Sequence, residues 1–307
     1  FVKNTNMIKK FILLLVLVFS FFNVEATHIM GGEITWECIK DPTSPDVGKY
    51  VFRMKIYRDC DGTTLSTFAQ TLSMWGTGAP VTGITMNFIS NIDISPDGDA
   101  INSGNNCLDC NTNPVGAVEE YIYQSDPIAL AGNPPATGWH FTWDSCCRNG
   151  AISNLILSSP TSPSEGFTLR ASMYRYVDPM GVPIDTDPCF DSSPQFNESP
   201  QTIICTGYPF SYTHNASDEE MDSLSYSWDD PLDDLVGAYN PPLNPIVLPF
   251  IPPYSNVSPL PGNPVLNSQT GEINYFSQNT SGNFVTVVRV DAYKCGQLVA
   301  QIYREIQ

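Results

Sequence analysis

The sequence predicts an all-β protein, and three observations carry that prediction. Apolar residues recur with a period of two, most plainly where Trp139, Phe141 and Trp143 alternate with His140, Thr142 and Asp144. That is the repeat of a strand with one buried face. No stretch sustains an apolar period near about 3.6 residues, so helices are expected to be few and short. The 26 prolines and 21 glycines are scattered without a repeat, which punctuates a chain into many short strands.

The first element is not structural. Lys9 and Lys10 precede an apolar run from Phe11 to Phe22, and Val24-Glu25-Ala26 follows. A charged start, a short apolar stretch and small residues at −3 and −1 are the marks of a secretory signal peptide cut between Ala26 and Thr27. The run is shorter than the roughly 20 residues a membrane helix needs. A secreted or cell-surface protein with no membrane insertion after cleavage is therefore expected. Residues 1–6, ahead of Met7, read as upstream translation.

All nine cysteines, at positions Cys38, Cys60, Cys107, Cys110, Cys146, Cys147, Cys189, Cys205 and Cys295, follow the expected cut. In an exported chain they are disulfide candidates. Nine is odd, and the chain stops inside the strand-like run Leu298–Ile306. Both point to the front of a longer protein with a cysteine partner downstream. The 14 Lys plus Arg face 32 Asp plus Glu, a net charge of −18. Nucleic acid is thereby excluded as a partner, because phosphate contacts need cations.

The strands follow in order. Glu33–Ile39 and Tyr50–Tyr57 come first, and in the second Tyr50, Phe52, Met54 and Ile56 share the core face. Leu65–Met74 and Ile84–Ile89 are next. Residues 91–114 read as a long polar loop held by a local Cys107–Cys110 disulfide. Val118–Tyr123, the Trp139 strand and Phe167–Tyr174 complete an N-terminal disulfide-containing β domain over 27–200. Its last part, with prolines at 179, 183, 188, 194 and 200, reads as a boundary. Beyond it, Leu224–Trp228, Thr270–Ile273, Phe284–Tyr293, a turn at Lys294-Cys295-Gly296 and the last run fill 201–307. About seven strands in about a hundred residues is the texture of an immunoglobulin-like sandwich. The expected architecture is two consecutive β-sandwich domains.

Chemistry is carried by four features. Cys146-Cys147 beside Arg148 is either a vicinal or reactive pair or, the preferred reading, two disulfide halves bound for partners such as Cys60 or Cys189. His28, His140 and His214 stand far apart in sequence, with no H-E-x-x-H pair and no Gly-x-Ser-x-Gly elbow. They read as ordinary strand or loop histidines. Asp218, Glu219, Glu220, Asp222, Asp229, Asp230, Asp233 and Asp234 place eight carboxylates within seventeen residues. They make either a calcium site, which needs about six to eight oxygens, or a solvated acidic loop. Trp139, Trp143 and Trp228 with paired carboxylates leave open a sugar cleft, whose acid and base would stand about 5–9.5 Å apart.

Two resemblances add to this. Asn215-Ala216-Ser217-Asp218, Asp222-Ser223-Leu224-Ser225-Tyr226, Thr270-Gly271-Glu272-Ile273 and Gly282-Asn283-Phe284-Val285-Thr286-Val287 resemble a cadherin-like or dystroglycan-type cadherin-like sandwich. That resemblance implies calcium at Asp218, Glu220 and Asp222.

Thr27-His28-Ile29-Met30-Gly31-Gly32-Glu33, Tyr57-Arg58-Asp59-Cys60, Trp143–Asn149, Asp187-Pro188-Cys189-Phe190 and Cys205–Phe210 are similar to the N-terminal region of large gliding-motility-associated, type IX-secreted bacterial surface proteins. This implies an adhesin-like, non-enzymatic module that meets an extracellular protein or polysaccharide surface and further domains of its own chain. The alternative is a secreted carbohydrate-binding module or polysaccharide-active enzyme.

Overall fold

The computed structural model describes residues 29–95, 108–159, 164–184, 189, 191–200, 203–204, 207–235, 237–243, 245–276 and 281–307. These residues contain no helix and fifteen strands. The first seven are β1 (Ile29–Cys38), β2 (Tyr50–Asp59), β3 (Gln70–Trp75), β4 (Gly83–Asp93), β5 (Val118–Ser125), β6 (Trp139–Ser145) and β7 (Phe167–Met173). The rest are β8 (Gln195–Phe196), β9 (Pro209–Thr213), β10 (Ala216–Ser217), β11 (Ser223–Trp228), β12 (Val265–Leu266), β13 (Glu272–Phe276), β14 (Thr286–Lys294) and β15 (Gln297–Ile306). The all-β expectation holds. The predicted loop over 91–114 is shorter than expected, because β4 runs on to Asp93.

The strands β1-β2-β5-β4-β3-β6-β7-β15 pair antiparallel in that order, and β15 returns to β1, which closes a ring of eight. One edge of β15 is taken by β14 along its length. The other edge is shared: Ala300, Gln301 and Ile302 pair with β7, while Arg304, Glu305 and Ile306 pair with β1. The sheet forks there. A Cβ on Gly31, whose φ is 149°, would overlap the Glu305 carbonyl, so the close approach of β1 to β15 requires glycine.

Opposite sides of this ring pack on each other in a sandwich-like way. Trp36 of β1 and Phe52 of β2 meet Phe141 of β6 across the interior, at ring-centroid distances of 5.9 and 4.6 Å. All three are fully buried. The alternation read from the sequence selects these faces, and aromatics bury roughly 150–250 Å² each. Trp139 and Trp143 are buried in the same core, and Trp228 packs against it. Trp139 and Trp143 are thus core residues, while Trp228 keeps part of its surface exposed.

The division at 200/201 does not appear in the pairing. β15 lies between β7 and β1, and β14 and β11 extend the same sheet. An uncovered edge on β15 would present unpaired backbone groups, and the strands of the first half cover it. The second half also carries a three-stranded sheet, β12-β13-β9. It is tied to β11 through Tyr226, whose amide donates to the Ser268 carbonyl between β12 and β13 at 2.8 Å, while the Tyr226 hydroxyl accepts the amide of Ala216 in β10 at 3.1 Å. The predicted turn joins β14 to β15. Cys295 and Gly296, with φ of 49° and 82°, supply the two positive-φ residues of a tight hairpin.

Two disulfides, Cys38–Cys189 and Cys60–Cys110, cross-link the fold. The expected Cys107–Cys110 bridge is corrected, since Cys110 is taken by Cys60 at the end of β2. Cys60 and Cys189 are therefore not partners of Cys146 or Cys147 either. Cys107, Cys205, His28 and the signal peptide lie outside the described residues.

Candidate cation site

Three stretches of chain converge beside the C-terminal end of β1. The segment 191–193 is laid along that strand by backbone and hydroxyl contacts. The Trp36 amide donates to Ser193 Oγ at 2.8 Å, the Ser193 amide to the Trp36 carbonyl at 3.0 Å, and the Cys38 amide to Ser192 Oγ at 3.1 Å. The Cys38–Cys189 bridge anchors the same segment. The 218–222 turn between β10 and β11 closes through Asp218, whose Oδ1 accepts the Asp222 amide at 3.0 Å, with Met221 at a φ of 61°. Lys294 arrives from the end of β14, one register step from the Ser223–Tyr293 pair.

These segments assemble Asp191, Asp218, Glu219, Glu220 and Asp222 around Lys40 and Lys294. Lys294 Nζ lies 2.7 Å from Asp191 Oδ1 and 3.3 Å from Asp222 Oδ2. Lys40 Nζ pairs with Glu220 Oε1 and lies 3.8 Å from Glu219 Oε2. The Ser192 amide also donates to Glu220 Oε1, at 3.0 Å. Five carboxylates thus face two ammonium groups. Asp191 is 0% exposed, and Asp191 Oδ2, Asp218 Oδ2 and Glu220 Oε2 are buried with no hydrogen-bond partner. Burial pushes the Asp191 carboxyl up to about 7 against the pull of Lys294, and Asp222 and Asp218 add to the rise. Burial likewise raises Asp218.

Buried charge without a partner is costly. The donor set is all hard oxygen, the set that suits a divalent cation of the calcium kind. Among the described residues, only Cys60, Cys110 and Glu119 place three such ligand atoms within 4.8 Å of one another, and those two sulfurs form a disulfide. In the acidic cluster Lys294 stands between Asp191 and Asp222. Among the described residues no three of the five carboxylates place an oxygen each within 4.8 Å of one another.

The structure brings together Asp218, Glu219, Glu220 and Asp222 but separates the rest of the acidic run. Asp229 pairs with Arg289 at 3.0 Å, and Asp233 accepts the Gly166 amide. Sequence reading missed Asp191, which lies in the stretch taken for a boundary. Its signal was a carboxylate two residues beyond a cysteine.

The remaining candidates resolve differently. His140 Nε2 donates to the Thr137 carbonyl at 2.9 Å, so Nδ1 accepts from Ser172 Oγ at 2.8 Å. Ser172 is 0% exposed and a carbonyl occupies the place of a catalytic carboxylate, so this pair is sealed within the fold. Burial pushes His140 down to about 4. His214 is fully buried between Phe196 and Tyr212.

Cys146 and Cys147 contact each other, and burial together with Cys146 pushes the Cys147 thiol up to about 11. That opposes a thiolate. Arg148 turns away from them, to Glu305 and to the Leu232 carbonyl at 2.8 Å. Cys295 is exposed in its hairpin turn.

No helix among the described residues is long and apolar enough to cross a membrane. Comparison of the chain with family models, with curated proteins and with solved structures finds no match.

Proposed function

We propose that this chain is an extracellular, adhesin-like structural and interaction module at the front of a larger surface protein, stiffened by calcium. The observation that carries the reading is the surplus of buried carboxylate around Asp191, with three oxygens unpartnered. The Cys38–Cys189 and Cys60–Cys110 bridges support an oxidising, extracellular setting, as does the leader-like N-terminus. Bound calcium would fix the 191–193 segment and the 218–222 turn to the end of β1, turning a mutually repelling cluster into a clamp. The module would then present a rigid surface to an extracellular protein or polysaccharide and to the next domains of its own chain. The resemblance to surface proteins of gliding bacteria points the same way.

The test is thermal unfolding of the full chain in calcium, in magnesium and in EDTA. Calcium is expected to raise the midpoint by several degrees, since a ligand at a hundred times its Kd stabilises by about 2.7 kcal/mol. Asp191→Asn and Asp222→Asn should each abolish the shift. An unchanged midpoint in the parent protein would remove calcium from the proposal.

A further inference from the structure

A second feature, remote in chemistry from the acidic cluster, is a cavity of about 290 Å³ between the β9–β13 sheet and the ends of β1, β14 and β15. Phe210, Tyr212, Ile273, Tyr275, Phe284 and Ile306 form most of its wall. Phe210 stacks on Tyr212 at 6.4 Å and 26°, and the other ring pairs are set edge to face. Phe210 and Tyr275 lie 5.4 Å apart at 61°, and Phe284 leans on Tyr254 at 5.5 Å and the same angle. No acidic side chain, lysine or arginine is among the described residues of the lining.

Two polar groups in this wall have no partner. His214 is 1% exposed, and neither of its ring nitrogens makes a hydrogen bond; Gln307 Oε1 is buried in the same condition. Buried polar groups are nearly always satisfied, by protein or by ordered water. Burial, with Arg304 nearby, holds the His214 pKa well below its ordinary value. The ring is therefore neutral and offers one donor and one acceptor. An uncharged wall rejects an ion. A neutral imidazole in such a wall matches a hydroxyl, which both gives and takes a hydrogen bond.

We infer that this cavity is a binding site for a small neutral aromatic molecule carrying a hydroxyl, with the rings of β9 and β13 as its cage and His214 as its polar contact. Its size is at the lower end of small-molecule sites, which run from about 300 Å³, and fits one or two fused rings. The inference stands independently of the calcium proposal.

The experiment titrates the full chain with phenol and with toluene, which have nearly the same shape, by ligand-observed NMR and calorimetry. Phenol is expected to bind about two- to tenfold more tightly, the range of one neutral hydrogen bond. His214→Phe should erase that preference while toluene still binds. Ser281→Trp, made at an exposed position on the lining, should block both probes without touching the interior, and serves if His214→Phe fails to fold. Failure of both probes to bind at millimolar concentration would overturn the inference. So would equal affinities in the parent protein, a phenol preference that survives His214→Phe, or binding indifferent to Ser281→Trp.

Discussion

Two groups of buried charge hold β1 in place, one near each end, and they are built in opposite ways. Near its start, Glu33 meets Arg304 of β15, accepts from the Tyr57 hydroxyl at 2.8 Å, and stands 3.8 Å from Lys55, which also reaches Glu120 at 3.2 Å. Two carboxylates face two cations. Arg304 further donates to the Glu198 carbonyl at 2.8 Å and lies over the Phe196 ring at 4.0 Å. Beyond the end of β1, five carboxylates face Lys40 and Lys294, and three of their oxygens are left over. In the first group the charges balance within the chain, although Arg304 Nη2 is buried without a hydrogen bond. The second carries the excess of carboxylate that the proposed cation would neutralise. Charge balance separates the two groups, and so does burial: the Glu33 and Arg304 side chains are 3% and 0% exposed, that of Glu219 58%.

The largest effect is expected from the covalent anchor of the second group. Replacing Cys38 and Cys189 by alanine opens a loop with a sequence separation of 151. This should cost up to about 5 kcal/mol in denaturant unfolding by the loop-entropy relation, and should weaken the calcium response as the segment carrying Asp191 loosens.

Arg304→Met comes next. It strands Glu33 in the interior and should cost about 3–5 kcal/mol, much of it recovered in the double variant Arg304→Met with Glu33→Leu. A double-mutant cycle reads this directly. Lys294→Met tests the contrast at the acidic cluster: its loss of stability should be restored by calcium, whereas no added ion should rescue Arg304→Met.

A buried group with no charged partner sharpens the comparison by a smaller step. His140 titrates near 6.5 in the unfolded chain but at about 4 in the fold. The unfolded state therefore binds the proton more readily between those values. Stability from this group is full above about pH 6.5 and lost as the pH falls toward about 4, about 3 kcal/mol in all at 1.36 kcal/mol per unit. His140→Gln should flatten that arm of the stability–pH curve. Beside these, the calcium response itself is the smallest shift expected, a few degrees for a chain of this length.

Much of the local structure was legible in the sequence. Alternation in Tyr50–Tyr57 marked both a strand and its buried face. Trp139, Phe141 and Trp143 identified a core strand, and Lys294-Cys295-Gly296 marked a hairpin. Each of these depends on neighbours a few residues away, where the period of the strand and the turn preference of glycine act directly. β9 was missed because Pro209–Thr213 is short and polar on one face, and β8, β10 and β12 because each is only two residues long.

Tertiary structure alone decided the rest. That β15 divides its edge between β7 and β1 depends on partners more than a hundred residues distant, and no local period encodes such a pairing. Cys110 joins Cys60 rather than its near neighbour because the end of β2 carries Cys60 to within a Cα–Cα distance of 5.1 Å. Asp191 enters the acidic cluster because a disulfide and two serines lay its segment along β1, in a stretch whose prolines read as a boundary. Residue type and spacing determined which groups could bear charge or form strands. Long-range packing determined which of those charges were left without a partner.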